Sequence, residues 1–189
     1  GVRARVSTDA RLRTIVKLRV IGRAQQLLRV DFDQAPPQTS LVDLLGAFEQ
    51  EVRSCDAVLF SDYAKGGLSH LPRMIELARA AGKPVLVDPK GNDYERYRGA
   101  SVITPNRAEL AQAVGGWSDE ETLKKRAFAL REQIGVGALL ARRQLELGDR
   151  IAVHLIGPVG EAQRARARIG ARKPEVLADR AAAMQLHRP

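Results

Sequence analysis

The chain has 189 residues, 44% of them hydrophobic and 28% charged, with a formal net charge of +9. This composition suits one sizeable folded domain, and no apolar run approaches the roughly 20 residues of a membrane-spanning helix. The single cysteine, Cys55, excludes an internal disulfide framework and a cysteine-rich metal site, while His70, His154 and His187 lack ligand spacing.

The opening Gly1-Val-Arg-Ala-Arg has neither an initiator Met nor the apolar stretch of a signal peptide, so the expectation is a cytoplasmic chain cut from something longer. Residues 141–189 hold 10 Lys and Arg against 5 acids, a net +5, which leaves +4 for the first 140 residues. The basic excess is therefore concentrated in the last quarter. That tail contains no aromatic residue, which argues against nucleic acid as a partner.

Residues 13–32 have the pattern of a β-hairpin. Ile15, Lys17, Arg19 and Ile21 alternate with Val16, Leu18 and Val20, and Gly22-Arg23-Ala24 supplies the turn. The basic Lys17, Arg19, Arg23 and Arg29 either reach an anionic ligand or form the solvated face of an edge hairpin. A proline-containing loop from Asp33 to Thr39 leads to an amphipathic helix over Ser40–Val52, with Leu41, Leu44, Leu45 and Phe48 on one face.

The strand Ala57–Asp62 follows and runs into Ser61-Asp62-Tyr63-Ala64-Lys65-Gly66-Gly67. Glycines and a lysine at a strand end suit an anion, although an ordinary polar turn explains them equally. A helix over Leu71–Ala81, stopped by Gly82 and Pro84, separates this strand from Val85–Val87. Asp88-Pro89-Lys90-Gly91 then repeats the acidic-then-basic arrangement, and a second apolar run, Ser101–Thr104, ends at Pro105.

Asn106 and Glu109 have capping-box spacing at the start of a helix through Leu110 and Val114, which local helix physics explains without a ligand; the alternative places the pair near metal-bound phosphate. Ser118-Asp119-Glu120-Glu121 predicts another capped helix, running to about Ile134 and ending at Gly135, with Trp117 as a packing residue and Gly137–Leu140 as the next buried strand. Strands alternating with helices predict an α/β fold, doubly wound around a mainly parallel sheet. In such sheets ligands sit at the carboxyl ends of the strands.

Several of these pieces, taken in order, resemble one known family. They are Lys17-Leu-Arg-Val with Gln25 to Asp31, then Ser61-Asp-Tyr-Ala-Lys-Gly66, Val87-Asp-Pro-Lys-Gly91, Tyr94-Glu-Arg-Tyr-Arg-Gly-Ala100 and Thr104-Pro-Asn-Arg-Ala-Glu109. Together they resemble the kinase half of the bifunctional heptose 7-phosphate kinase/ADP-heptose synthases, within the ribokinase-like sugar kinases. The resemblance covers about residues 1–140 and implies a partial kinase domain whose hairpin belongs to the lid over the sugar.

It also implies ATP- and Mg²⁺-dependent phosphorylation of D-glycero-D-manno-heptose 7-phosphate at its anomeric hydroxyl, feeding ADP-heptose and lipopolysaccharide core synthesis. On this reading Asn106, Arg107, Ala108 and Glu109 form the ATP and Mg²⁺ element, with Glu109 acting on the metal through water. Asp62, Lys65, Asp88, Lys90 and Arg19 become candidate contacts to sugar phosphate or nucleotide phosphate. The lid also implies a possible homodimer.

The family's Gly-Ala-Gly-Asp motif, which carries its general base, does not occur in these 189 residues, and neither does the family's N-terminal portion, with its first strand and Gly-Gly substrate motif, or the nucleotidyltransferase half. Residues 141–189 depart from the family pattern and read as a basic Ala/Arg-rich tail, as if an unrelated reading frame were joined to a kinase fragment incomplete at both ends. The expectation is a sugar kinase by descent, without turnover as it stands. The alternatives are a non-catalytic nucleotide-binding remnant or a basic-tail nucleic-acid binder.

Overall fold

A computed structural model of the chain describes residues 4–143 and 152–156. The basic stretch Gln163–Arg168, His187 and the nucleic-acid reading attached to the tail lie outside the described residues.

The hairpin forms as its alternation predicts. Strand β1 (Val16–Gly22) pairs antiparallel with β2 (Gln25–Phe32), with an irregular register between Val20 and Ile21. Arg23 and Ala24 make the turn with φ of 47° and 66°, the left-handed conformation that a two-residue hairpin turn needs to match strand twist. This two-stranded sheet is separate from the main one.

Helix α1 (Gln38–Glu51) begins two residues before the predicted start and finishes in a short 3₁₀ turn, Val52–Ser54. The main sheet then follows with β3 (Val58–Ser61), α2 (Leu71–Ala80), β4 (Val85–Asp88), β5 (Val102–Ile103), α3 (Arg107–Val114), α4 (Glu120–Ile134), β6 (Ala138–Arg143) and β7 (Ala152–Ile156). Its strand order is β3-β4-β5-β6-β7, with the first four strands parallel and β7 antiparallel to β6. The predicted strand at Gly137–Leu140 thus extends further. A strand from within residues 141–189 joins the sheet beside it.

The inward residues of the parallel strands and the apolar sides of the connecting helices share one core. Val58, Phe60, Val85, Val87, Ile103 and Leu139 form a single buried cluster with Leu71, Met74, Ile75 and Ala78 of α2, Leu110 of α3 and Leu123, Ala127, Leu130 and Ile134 of α4. Period-two alternation turns the intervening residues the other way, and Leu59 on the edge strand β3 is 71% exposed.

The cap of α4 lies one residue later than the sequence pattern placed it. Asp119, rather than Ser118, is the N-cap, accepting from the Thr122 N–H at 2.7 Å, and Ser118 Oγ donates to Asp119 Oδ2 at 2.8 Å. A carboxylate is the stronger acceptor for the open helix N–H groups, so it takes the position and the serine supports it. Gly135 ends the helix in the left-handed conformation.

Candidate functional site

The parallel strands bring their polar ends to one edge. Asp62 follows β3 and its N–H donates to the Asp88 carbonyl at 3.0 Å; Asp88 closes β4, and the Thr104 N–H after β5 donates to the Val87 carbonyl at 2.9 Å. Three consecutive strands therefore stop at the same level. Thr104 Oγ1 also lies 3.3 Å from Asp88 Oδ1.

The Asp88-Pro-Lys-Gly loop is held from beneath by Tyr97. The Lys90 N–H donates to the Tyr97 hydroxyl at 3.0 Å, and that hydroxyl donates to Asp62 Oδ2 at 2.9 Å. A second Asp62 oxygen accepts from the Ala64 N–H at 2.8 Å, which fixes Ala64 in a left-handed turn with φ 55°. The Arg96 guanidinium stands over the Tyr97 ring, 3.5 Å from Asp62, and donates to the Leu68 carbonyl at 2.8 Å. Burial pushes the Tyr97 phenol well above its ordinary range, and the Asp62 carboxylate it bonds adds to the shift, so it remains a protonated donor.

Beside this scaffold sits the Asn106–Glu109 pair. The capping box is fully formed: Asn106 Oδ1 accepts from the Glu109 N–H at 3.0 Å, and Glu109 Oε2 accepts from the Asn106 N–H at 2.9 Å. Glu109 Oε1 remains for Lys90, whose Nζ donates to it at 3.0 Å. The cap thus orients a carboxylate whose second oxygen faces the lysine of the neighbouring loop. The cap therefore uses one oxygen of Glu109 and leaves the other to the neighbouring loop.

Two further aromatic residues shape this edge. Tyr94 packs edge-to-face on Tyr97 at 5.6 Å, and its hydroxyl is buried without a hydrogen-bond partner. Burial, and secondly the Glu109 charge, push its phenol up. Arg107 lies over the Trp117 ring at 4.9 Å and Ala108 is exposed on the same first turn.

The structure therefore gathers Asp62, Asp88, Lys90, Asn106 and Glu109 at one strand edge, with Arg107 and Ala108 on the adjoining helix turn. Lys65 instead forms an ion pair with Asp33 at the foot of the hairpin. Arg19 lies in the hairpin opposite Arg29, in the separate two-stranded sheet. Sequence reasoning assigned no role to Tyr94, Arg96 or Tyr97. Their signal was two tyrosines three apart directly after the loop, a spacing that puts both on one side of a single turn.

A divalent cation fits this edge only in company. Among the described residues no group of three or more His, Cys, Asp or Glu side chains could hold a metal alone. Mg²⁺ commonly uses one or two carboxylates together with waters and substrate phosphates. Glu109 and Asp88 can supply the carboxylates, and Lys90 can supply positive charge to a phosphate.

The sequence profile of the pfkB family of carbohydrate kinases matches residues 1–141. The chain belongs to that family. Among curated relatives, it is 48% identical over 143 residues to the D-beta-D-heptose 7-phosphate kinase of Bordetella bronchiseptica, covering 76% of this chain and 46% of that protein. It is also 48% identical over 130 residues to the bifunctional protein HldE of a Vibrio cholerae O1 strain, covering 69% of this chain and 27% of that protein. The chain thus spans half or less of the length of these pfkB relatives. The likeness to heptose 7-phosphate kinases read from the motifs is borne out.

Solved structures agree on the fold. Phosphofructokinase-2 from Escherichia coli in complex with potassium is similar with a TM-score of 0.50 at 16% identity, over 69% of this chain and 45% of that one. A possible 1-phosphofructokinase from Thermotoga maritima is similar with a TM-score of 0.52 at 18% identity, over 67% and 41%. At such identities these pfkB-type likenesses speak for the α/β architecture alone.

Proposed function

We propose that the strand edge bearing Asp88, Lys90, Asn106 and Glu109 is the nucleotide-phosphate and Mg²⁺ surface of a sugar-phosphate kinase. The reading rests on the Lys90–Glu109–Asn106 arrangement, which sets an oriented carboxylate and an ammonium side by side. Phosphoryl transfer depends mainly on positioning and on charge that neutralises the phosphate oxygens. Membership of the pfkB family implies ATP as donor. The similarity to heptose 7-phosphate kinases points to D-glycero-D-manno-heptose 7-phosphate as acceptor and the 1,7-bisphosphate as product.

In this proposal Asp62 acts as a buried brace for the loop and Lys90 faces phosphate. Lys65 and Arg19 belong to the hairpin side of the sugar. Because these 189 residues contain no Gly-Ala-Gly-Asp motif, deprotonation of the sugar hydroxyl has no assigned base, and nucleotide binding without turnover is the expected behaviour of this chain.

Calorimetric titration with ATP and Mg²⁺ tests the reading, alongside ADP release in the presence of heptose 7-phosphate. ATP·Mg²⁺ should bind, and Glu109→Gln should weaken it by about tenfold or more, the loss of one charge-assisted contact. Equal affinity in the two proteins would remove Glu109 from the site. Turnover by the parent chain would show that a base exists outside the missing motif.

A further inference from the structure

Glu109 is a buried carboxylate paired with the ammonium of Lys90. It is 6% exposed, and its neighbour Tyr94 contributes only a neutral, unpartnered phenol to that environment. A buried carboxylate left without a counter-charge is strongly destabilising. Lys90 supplies that charge from a different position in the solvent: its side chain is 50% exposed, against 8% for Glu109. The carboxylate is the fixed member, held by the cap, and the ammonium is the movable one on a flexible four-carbon stem.

We propose that the Lys90–Glu109 ion pair is an exchange switch. A divalent cation takes the ammonium's place at Glu109, and the released Lys90 turns to the phosphate that arrives with it. This deepens the proposed function and rests on its assignment of Glu109 to the metal. Without the incoming cation, Lys90 cannot leave without stranding a buried charge. Without Lys90 leaving, the cation meets an ammonium already in place. Cation and phosphate therefore favour each other's binding, as linkage requires when both draw on the same two-state pair. Asp88, at the same edge, offers a second carboxylate to a hydrated ion.

The switch can be tested with no nucleotide present, using Mn²⁺ alone as probe and counting free ion by electron paramagnetic resonance. Lys90→Met should bind Mn²⁺ about fivefold or more tighter than the parent, the lower end of ordinary coupling. Lys83→Met makes the same change just before β4, at the end of that strand away from Asp88, and should leave the affinity nearly unchanged. Adding Glu109→Gln to Lys90→Met should abolish the gain. An equal gain in Lys83→Met, or none in Lys90→Met, overturns the proposal.

A second measurement uses the unsubstituted chain, in case Lys90→Met does not fold. Lysines dimethylated with ¹³C keep their charge, and the Lys90 resonance is the one lost in Lys90→Arg. Titration with Mg²⁺ should move it to the position of a solvated lysine, and a resonance that stays in place at saturating Mg²⁺ refutes the exchange. Failure of the kinase reading looks different: the exchange would be seen, yet ATP·Mg²⁺ would not bind.

Discussion

The Tyr97 hydroxyl carries one proton, and two acceptors stand within reach of it: Asp62 Oδ2 at 2.9 Å and the Lys90 carbonyl at 3.0 Å. The charged acceptor wins, because a hydrogen bond to a carboxylate is roughly twice as strong as one to a neutral oxygen. Tyr97→Phe removes this donor and also the acceptor of the Lys90 N–H, leaving a buried carboxylate short of a partner. Denaturant unfolding should show a loss of about 1–3 kcal/mol, and a Phe variant as stable as the parent would mean that water replaces the hydroxyl freely. The two halves of this site differ in how far the sequence revealed them. Asn106 and Glu109 are three residues apart, so helix geometry alone announces their pairing. Asp62 and Tyr97 are separated by 35 positions and meet only because β3 and β4 are neighbours. No local pattern encodes that meeting, so the sequence alone does not single out Tyr97.

At the scale of single elements, α4 offers a test of what its cap contributes. The Thr122 N–H, bonded to the Asp119 carboxylate, is the largest of several hydrogen bonds that hold this carboxyl below its usual 3.8. A carboxyl whose folded value is depressed stabilises the fold above its unfolded value and loses that contribution as the pH falls through the folded one. Melting temperatures of the parent should therefore decline below about pH 4 in part through this group. Asp119→Asn, which caps without titrating, should show a shallower acid decline, with the difference between the two proteins constant above about pH 5. Identical acid limbs would show that the cap does not contribute. The helix itself was legible from its apolar spacing and its terminal glycine. Its first residue was not, since Ser118 and Asp119 are both good caps and only the folded chain decides between them.

On the scale of the whole molecule, the hairpin stands out for its two unlike faces. Val16, Leu18 and Val20 pair across with Phe32, Val30 and Leu28, giving one apolar face, while Lys17, Arg19, Arg29 and Asp31 occupy the other. Five of the six apolar residues are exposed. Uncovered apolar surface of this kind is of the sort that a second copy of the hairpin would bury, as in the homodimer that the family resemblance implies. Sedimentation equilibrium should find the parent dimeric, and Val20→Thr with Leu28→Thr, which keeps strand-forming residues while making the face polar, should shift it to monomer. A parent that is monomeric at every concentration would rule the dimer out. The sequence announced the hairpin through its alternation. It was silent about β7, because a strand that pairs on the far side of β6 is defined by its partner and not by its own five residues.

The order β3-β4-β5-β6 also has a meaning in time. Each parallel strand lies beside the one that precedes it in the chain, so a strand leaving the ribosome finds its template already assembled and never waits for a partner still to be made. Sheet growth of this kind proceeds in the direction of synthesis and keeps the closing loops short. Among the described strands, this order permits growth from β3 towards β6 in the direction of synthesis.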